Sequence, residues 1–349
     1  MDINTIIDYL VISIIASTTV NVWIRNIAKN NTILIDLPDK SRKFHKRATP
    51  LTGGISILFA ILIAGKLYID LYELSEFMPN FSLQLIYASI ILVVCFLIDD
   101  ARGLTPTIRL LIQAALTLYV IKTTGVELIS LGNLFGNGEL LLGKYSTLFT
   151  VFAVIGLMNA FNMLDGINGL CSGFSMLFLL MAGFYSGFIY DSMLVIVIGA
   201  IIGFLFFNLR VFGAKRGVFL GDHGSNLMGF WVAWAAIYIS QNAVYDTNPM
   251  TMVWMVSIPL LDCLGLILSR SLNGVSWATP GRDHIHHKLM DYFSPEGTLF
   301  VILIIASLIN FISFLLESWL PEFYSFYLFI VFSLFYYFFT YKLIYLKKE

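Results

Sequence analysis

Charge is what this sequence has least of. Of its 349 residues, 12% are Asp, Glu, Lys or Arg, against roughly 25% in soluble domains. With 58% hydrophobic residues and a mean hydropathy of +0.83, a water-soluble fold could not bury its apolar surface. The apolar runs lack the alternation of membrane β-strands, which excludes a barrel. Cysteine is scarce too. Cys95, Cys171 and Cys263 lie in or beside apolar runs, which gives no disulfide framework and no metal-ligand spacing. The N-terminus has no basic stretch and carries Asp2 and Asp8, so no cleavable signal peptide is expected. There is no internal repeat, low-complexity segment or long linker, and residues 1–349 are read as a single domain.

What is there is a series of apolar runs of about 20 residues, the length of a membrane-crossing helix. The expectation is an all-α polytopic membrane protein with about eleven transmembrane helices. The spans are read at 5–24, 51–69, 82–98, 107–124, 145–163, 170–189, 192–209, 224–241, 250–269, 298–316 and 323–342. Arg25, Lys29, Arg47, Arg102, Arg109, Arg210, Lys215, Arg216, Arg270, Lys288 and most other basic residues fall on one side. Only Lys66, Lys122 and Lys144 fall on the other. The positive-inside rule then places the N-terminus outside and the C-terminus in the cytoplasm. The net charge of −1 hides this asymmetry and gives no sign of a nucleic-acid partner.

The polar residues gather in five cytoplasmic segments. The outer acids Asp70, Glu73, Glu76, Glu127, Glu139, Asp246 and Glu317 are read as solvating their loops. The first cytoplasmic segment, LPDKSRKFHKRATPLTGG, ends in a glycine pair at a helix entrance, where backbone must come close to something. Its charge alone is also what a lipid-binding anchor shows. In the second, Asp99 and Asp100 close span 3, where the helix dipole disfavours acids and a bound cation would offset the cost. In the third, NAFNMLDGINGL, Asn159, Asn162, Asp165 and Asn168 recur every three residues, a spacing that shares a helix face. The fourth, FLGDHGS, places Asp222 before a Gly-rich helix start whose N–H groups favour phosphate, although Asp and Ser are also ordinary caps. The fifth, GRDHIHH, holds three of the five histidines.

His284 and His287 can share a helix face, but zinc is not favoured, because the thiolates and the HExxH pattern are missing. Beside Arg282 the histidines are better read as donors to phosphate or sugar oxygens. Carboxylates for a hard cation, basic groups for phosphates and an amide stripe suit Mg²⁺ and phosphoryl transfer. The residues alone indicate a metal-dependent, phosphate-handling membrane enzyme. A secondary transporter would carry its ionisable groups near the midplane and show repeated halves, and neither is seen.

In this order and on one side, HKRATPLTGG, the DD pair, NAFNMLDGINGL, FLGDHGS and RDHIHH resemble the polyprenyl-phosphate N-acetylhexosamine-1-phosphate transferases. The likeness runs from about residue 36 to 290, and the HIHH form is nearer the WecA-type branch than the MraY type. It implies transfer of an N-acetylhexosamine-1-phosphate, GlcNAc-1-phosphate above all, from a UDP-sugar to undecaprenyl phosphate. Mg²⁺ would serve, with Mn²⁺ as substitute, in the bacterial cytoplasmic membrane, as the first step of a polysaccharide such as O-antigen. Membrane lipid and a second copy of the chain are the further partners, and another UDP-N-acetyl sugar is the alternative donor.

By resemblance, Asp99 or Asp100 activates or orients the lipid phosphate, and Asp222 binds metal. Asn162 and Asp165 lie near metal and nucleotide, Phe219 stacks on uracil and Lys46 faces the nucleotide. His284, His286 and His287 with Arg282 hold the sugar phosphate. Two departures stand out. Asn168 replaces the usual second Asp of the DGxDGL pattern, and its amide can still read the uracil edge. Gly281 replaces the usual acid before the Arg, with Asp283 on its other side.

Overall fold

A computed structural model describes residues 3–38, 47–72, 80–187, 192–274, 276, 281 and 283–345. Lys46 and Arg282 lie outside the described residues. The helices are α1 (Ile3–Asn31), α2 (Gly53–Tyr72), α3 (Asn80–Arg102), α4 (Pro106–Thr124), α5 (Ser146–Leu164), α6 (Leu170–Ser186) and α7 (Ser192–Asn208). They continue with α8 (Asp222–Gln241), α9 (Pro249–Met255), α10 (Ser257–Leu272), α11 (Ile285–Leu289), α12 (Pro295–Trp319) and α13 (Glu322–Tyr345). Each expected span falls on a helix or, for 250–269, on a helix pair.

Among the described residues five helices have the length and apolar character to cross a membrane, or six if the bent pair α9–α10 counts as one. Three further apolar helices are shorter, at Gly53–Leu67, Leu170–Ser186 and Met193–Asn208. The protein is an all-α membrane protein. The span expected at 250–269 is not one straight helix. It breaks at Val256, and α10 leaves α9 at 76°. Pro259 supplies the reason: it has no N–H to donate and its ring clashes with the carbonyl four residues back, at Met255, where α9 ends.

The chain folds into two compact units. Residues 1–124 and 186–228 form the first, and residues 125–185 and 229–349 the second. In the first, α1 lies against α7 through small residues. Gly199 meets the Leu10 carbonyl and Ser13, and Gly203 meets the Ile14 carbonyl and Ser17. Ser17 Oγ donates to the Ala200 carbonyl at 2.6 Å. Small residues four apart let membrane helices approach closely enough for van der Waals contact and side-chain hydrogen bonds. A two-stranded antiparallel pair, β1 (Ile35–Asp36) with β2 (Thr49–Pro50), leads into α2.

In the second unit, residues 126–142 form a hairpin-like loop with a bridge between Ser130 and Leu141. Gln241 Oε1 accepts from the Ile129 and Ser130 N–H groups at 2.9 and 3.0 Å. The buried Glu322 accepts from the N–H of Asn133 at 2.5 Å and of Met250 at 3.2 Å. Glu317, expected merely to solvate a loop, accepts the Asn248 N–H at 2.8 Å, and Glu127 accepts from the Thr147 hydroxyl at 2.7 Å. These acids satisfy donors at the starts of α5 and α9 and in the loop 126–142, where an unpaired N–H is costly.

Candidate active site

In the first unit, α3 delivers Asp99 and Asp100 to the start of α8. Asp99 is fully buried; its Oδ1 accepts the Leu104 N–H at 2.6 Å and its Oδ2 pairs with Arg109 Nε at 2.8 Å. Arg109 sits on the first turn of α4 and also reaches Asp222 Oδ2, 3.4 Å from Nη1. Asp100 is an acceptor for α8: Oδ1 takes the Asp222 N–H at 3.0 Å and Oδ2 the His223 N–H at 3.3 Å. Oδ2 also pairs with His223 Nδ1 at 2.5 Å. A carboxylate placed on the positive end of a helix dipole is stabilised there.

This revises two expectations. The electrostatic cost of the DD pair is offset inside the protein, by Arg109 for Asp99 and by the α8 N-terminus for Asp100. The N–H groups expected to favour phosphate are already used, those of Asp222 and His223 by Asp100 and those of Gly224 and Ser225 by the Gly221 carbonyl. Asp222 keeps a carboxylate that is 38% exposed. It stands ahead of the apolar span expected at 224–241, and the packing around it, then the neighbouring Asp100, push its carboxyl up to about 6. A hard cation would remove that penalty.

The glycine pair does what close approach requires. Gly53 and Gly54 donate to the Phe219 and Leu220 carbonyls at 2.9 and 3.0 Å, and Phe219 donates to Pro50 at 2.8 Å. A Cβ on Gly54 would run into the Gly224 backbone. The TPLTGG segment is thereby stitched to the FLGD segment, which fixes the half-buried Phe219 beside Asp222 in the chain.

In the second unit the amide stripe is shorter than its spacing suggested. Asn159 and Asn162 are on α5, Asp165 is its C-cap, and Asn168 sits in the turn 165–169 beyond the helix. Asn168 therefore leaves the shared face, because the helical period ends at Leu164. Gly166, in that turn, lies where a Cβ would strike the His286 ring.

His286 is fully buried, and neither of its ring nitrogens has a hydrogen-bond partner among the described residues. Burial first, then His287 and His284, hold its pKa well below the ordinary value, so it is neutral. A neutral imidazole still donates through one ring nitrogen, as the reading of these histidines as donors requires. His284 and His286 stack with centroids 5.5 Å apart, and His287 tilts against His286 at 4.2 Å. His284 Nδ1 meets Asp262 Oδ2 at 2.8 Å. Burial lowers the pKa of Lys288, one residue beyond. An Arg near this loop that is described is Arg270, on α10, 3.7 Å from Asp283 and packed beside Gly281.

Sequence reasoning did not single out Arg109, His223 or Asp262 as site residues. Arg109 was counted only as a basic loop residue. An Asp and an Arg inside apolar runs, at 262 and 270, were signals in hand, since ionisable groups in membrane helices are costly without partners. Among the described residues no group of three or more His, Cys, Asp or Glu side chains is placed to hold a metal by itself.

The class defined so far is a helical membrane protein with a carboxylate–arginine cluster and a histidine cluster at helix ends. The Glycosyl transferase family 4 model matches residues 81–240. A Salmonella typhi protein named undecaprenyl-phosphate alpha-N-acetylglucosaminyl 1-phosphate transferase is 34% identical over 305 residues, 85% of this chain and 80% of that protein. Its namesake from Escherichia coli K12 is 33% identical over 327 residues, 92% and 87% of the two chains. The Haemophilus influenzae namesake is 32% identical over 269 residues, 74% and 72%. The chain belongs to glycosyl transferase family 4.

Proposed function

We propose that this protein transfers GlcNAc-1-phosphate from UDP-GlcNAc to undecaprenyl phosphate, giving undecaprenyl-pyrophosphoryl-GlcNAc and UMP. The observation that carries the reading is the likeness to the named transferases over 85–92% of the chain, with all five polar segments inside it. A lipid phosphate oxygen bonds to the β-phosphorus of the donor. The bond from that phosphorus to the bridging oxygen breaks, and the oxygen leaves with UMP. A phosphate monoester is largely ionised near pH 7, so no strong base is needed. Asp99 and Asp100 are then positioning residues: the one orients Arg109, the other the start of α8 and Asp222. Arg109, one-third exposed, is suited to receive the lipid phosphate as a planar bidentate donor.

The donor set fits Mg²⁺, which takes one or two carboxylates and fills its sphere with substrate phosphates and water. Asp222 would hold it, and when bound the ion neutralises charge on the pyrophosphate. In this reading Phe219 stacks on uracil, Asn168 reads its edge, Asn162 and Asp165 attend the nucleotide, and the histidine loop with Arg282 serves the sugar phosphate. Lys46 is assigned to the nucleotide by the resemblance of the HKRATPLTGG segment. That each expected span falls on a helix or, for 250–269, on the bent α9–α10 pair supports an eleven-span topology. The N-terminus would be outside and the active site cytoplasmic, at the start of a cell-envelope polysaccharide.

Membranes carrying the chain, given labelled UDP-GlcNAc and undecaprenyl phosphate, should yield a labelled lipid and stoichiometric UMP. Running a panel of UDP-sugars beside it identifies the preferred donor. Failure to label lipid from any UDP-N-acetyl sugar would overturn the reading. Reporter fusions near Thr5 and at Glu349 test the topology, which fails if both ends lie on one side.

A further inference from the structure

Asp262 is a buried acid on α10, and it lies outside all five polar segments. Such a group is expensive unless its acceptors are used. Both are used on the same short stretch of chain. Oδ2 meets His284 Nδ1 at 2.8 Å, and Oδ1 accepts the Ile285 N–H, at the start of α11, at 2.9 Å. Two turns along the same helix, Arg270 reaches Asp283. Residues 283, 284 and 285 are therefore all held from α10.

An ionised carboxylate can only accept hydrogen bonds, so Nδ1 of His284 carries a proton in either charge state of the ring. Whatever His284 does with another molecule, it does through Nε2. Asp262 also sets the ring plane, and His286 stacks on that plane within 8° of parallel, with its own edge against Gly166. The ring nitrogens of His286 find no hydrogen-bond partner among the described residues, so its place is set by this stacking and by Gly166.

We propose that Asp262 is a positioning residue for sugar-1-phosphate transfer, holding His284 so that Nε2 alone faces the substrate. This rests on the reading that the histidine loop serves the reaction. It adds a residue of α10 to a site whose sequence-predicted residues all lie in the five polar segments.

The test uses the full chain with UDP-GlcNAc and undecaprenyl phosphate, and the variants Asp262→Asn, Asp262→Ala, His284→Ala and their double combinations. Partners that orient a histidine cost about 10–100-fold when removed, and a loss of that size in kcat, more than in KM, is expected for both Asp262 variants. In the His284→Ala background the Asp262 substitutions should add nothing, because residues acting as one unit are non-additive. Histidine ¹⁵N spectra of purified protein give a readout independent of activity and of the fate of Asp262→Ala. His284 should show a protonated Nδ1 and an unprotonated Nε2 when neutral, and Asp262→Asn should reverse the two.

Wild-type turnover in Asp262→Asn would overturn the proposal. So would losses that multiply in the double variants, or an unchanged His284 tautomer. Wild-type turnover in His284→Ala would instead show that the loop reading itself is wrong.

Discussion

The carboxylate cluster and the histidine cluster solve the same problem in opposite ways. Around Asp99, Asp100 and Arg109 nearly every charge is matched within the protein. The ion pair at 2.8 Å and the two α8 N–H bonds are made by the protein's own groups. Around His286 the matching is incomplete: a fully buried ring keeps both nitrogens without a partner. A charge buried without a partner costs several kcal/mol, whereas a neutral imidazole costs far less, so an imidazole nitrogen can be left open where a carboxylate cannot. The first is an array of matched charges, and the second is built around a neutral ring.

The sharpest way to break this contrast is Asp222, the acid the first cluster leaves exposed. Asp222→Asn should lower turnover with Mg²⁺ or Mn²⁺ by about 10²–10³-fold, the scale of losing a preorganised electrostatic contact. The protein should still fold into the membrane. Near-normal rates would remove Asp222 from the metal site.

Arg109→Leu comes next, because it strands the buried Asp99. Removing one member of a buried pair costs about 3–5 kcal/mol, and Arg109's partial exposure puts the expected loss at the low end. Thermal unfolding in detergent reads it, and Arg109→Lys should recover part. An unchanged midpoint for Arg109→Leu would mean that Asp99 is not dependent on it.

Phe219→Ala should weaken UDP-GlcNAc binding by about 1–3 kcal/mol, as loss of base stacking does, while leaving the apparent affinity for undecaprenyl phosphate alone. Equal losses for both substrates would indicate a packing role. Separate titrations of the two substrates decide.

His286 makes a prediction in pH. His286 has a folded pKa held well below its ordinary value of 6.5, so the unfolded chain binds more protons at acid pH. Stability should therefore fall as pH drops below about 6.5, by at most about 1.4 kcal/mol per pH unit for this one group. His286→Phe should flatten that slope in denaturation midpoints between pH 7 and 5. An unchanged slope would assign it to other groups.

The smallest effect is expected at Asn168. Asn168→Asp keeps the acceptor for uracil N3–H and should stay close to wild type, whereas Asn168→Leu should lose donor affinity. Wild-type affinity for UDP-GlcNAc in Asn168→Leu would show that the residue only packs the turn after α5.

Much of this protein was legible one segment at a time. Hydropathy depends on runs of neighbours, so each expected span found its helix, and the glycine pair announced a close backbone approach that proved to be Gly54 on Gly224. The polar segments were found because ionisable groups are conspicuous in an apolar chain. Less legible was how far each pattern ran. The three-residue rhythm of Asn159 to Asn168 continued in the sequence after the helix had stopped at Leu164. The straight span at 250–269 hid a break that Pro259 enforces four residues upstream.

The sequence by itself determined the apolar environment, the all-helical class and the set of polar residues available for chemistry, because each follows from local composition and period. Tertiary structure decided which of those residues are spent on one another. Asp100 caps a helix 122 residues away, Asp262 holds a histidine 22 residues on, and Glu317 satisfies the backbone at Asn248. Such pairings join segments whose separation in the chain carries no periodic signal, and only folding brings an acceptor to within 3 Å or so of its donor.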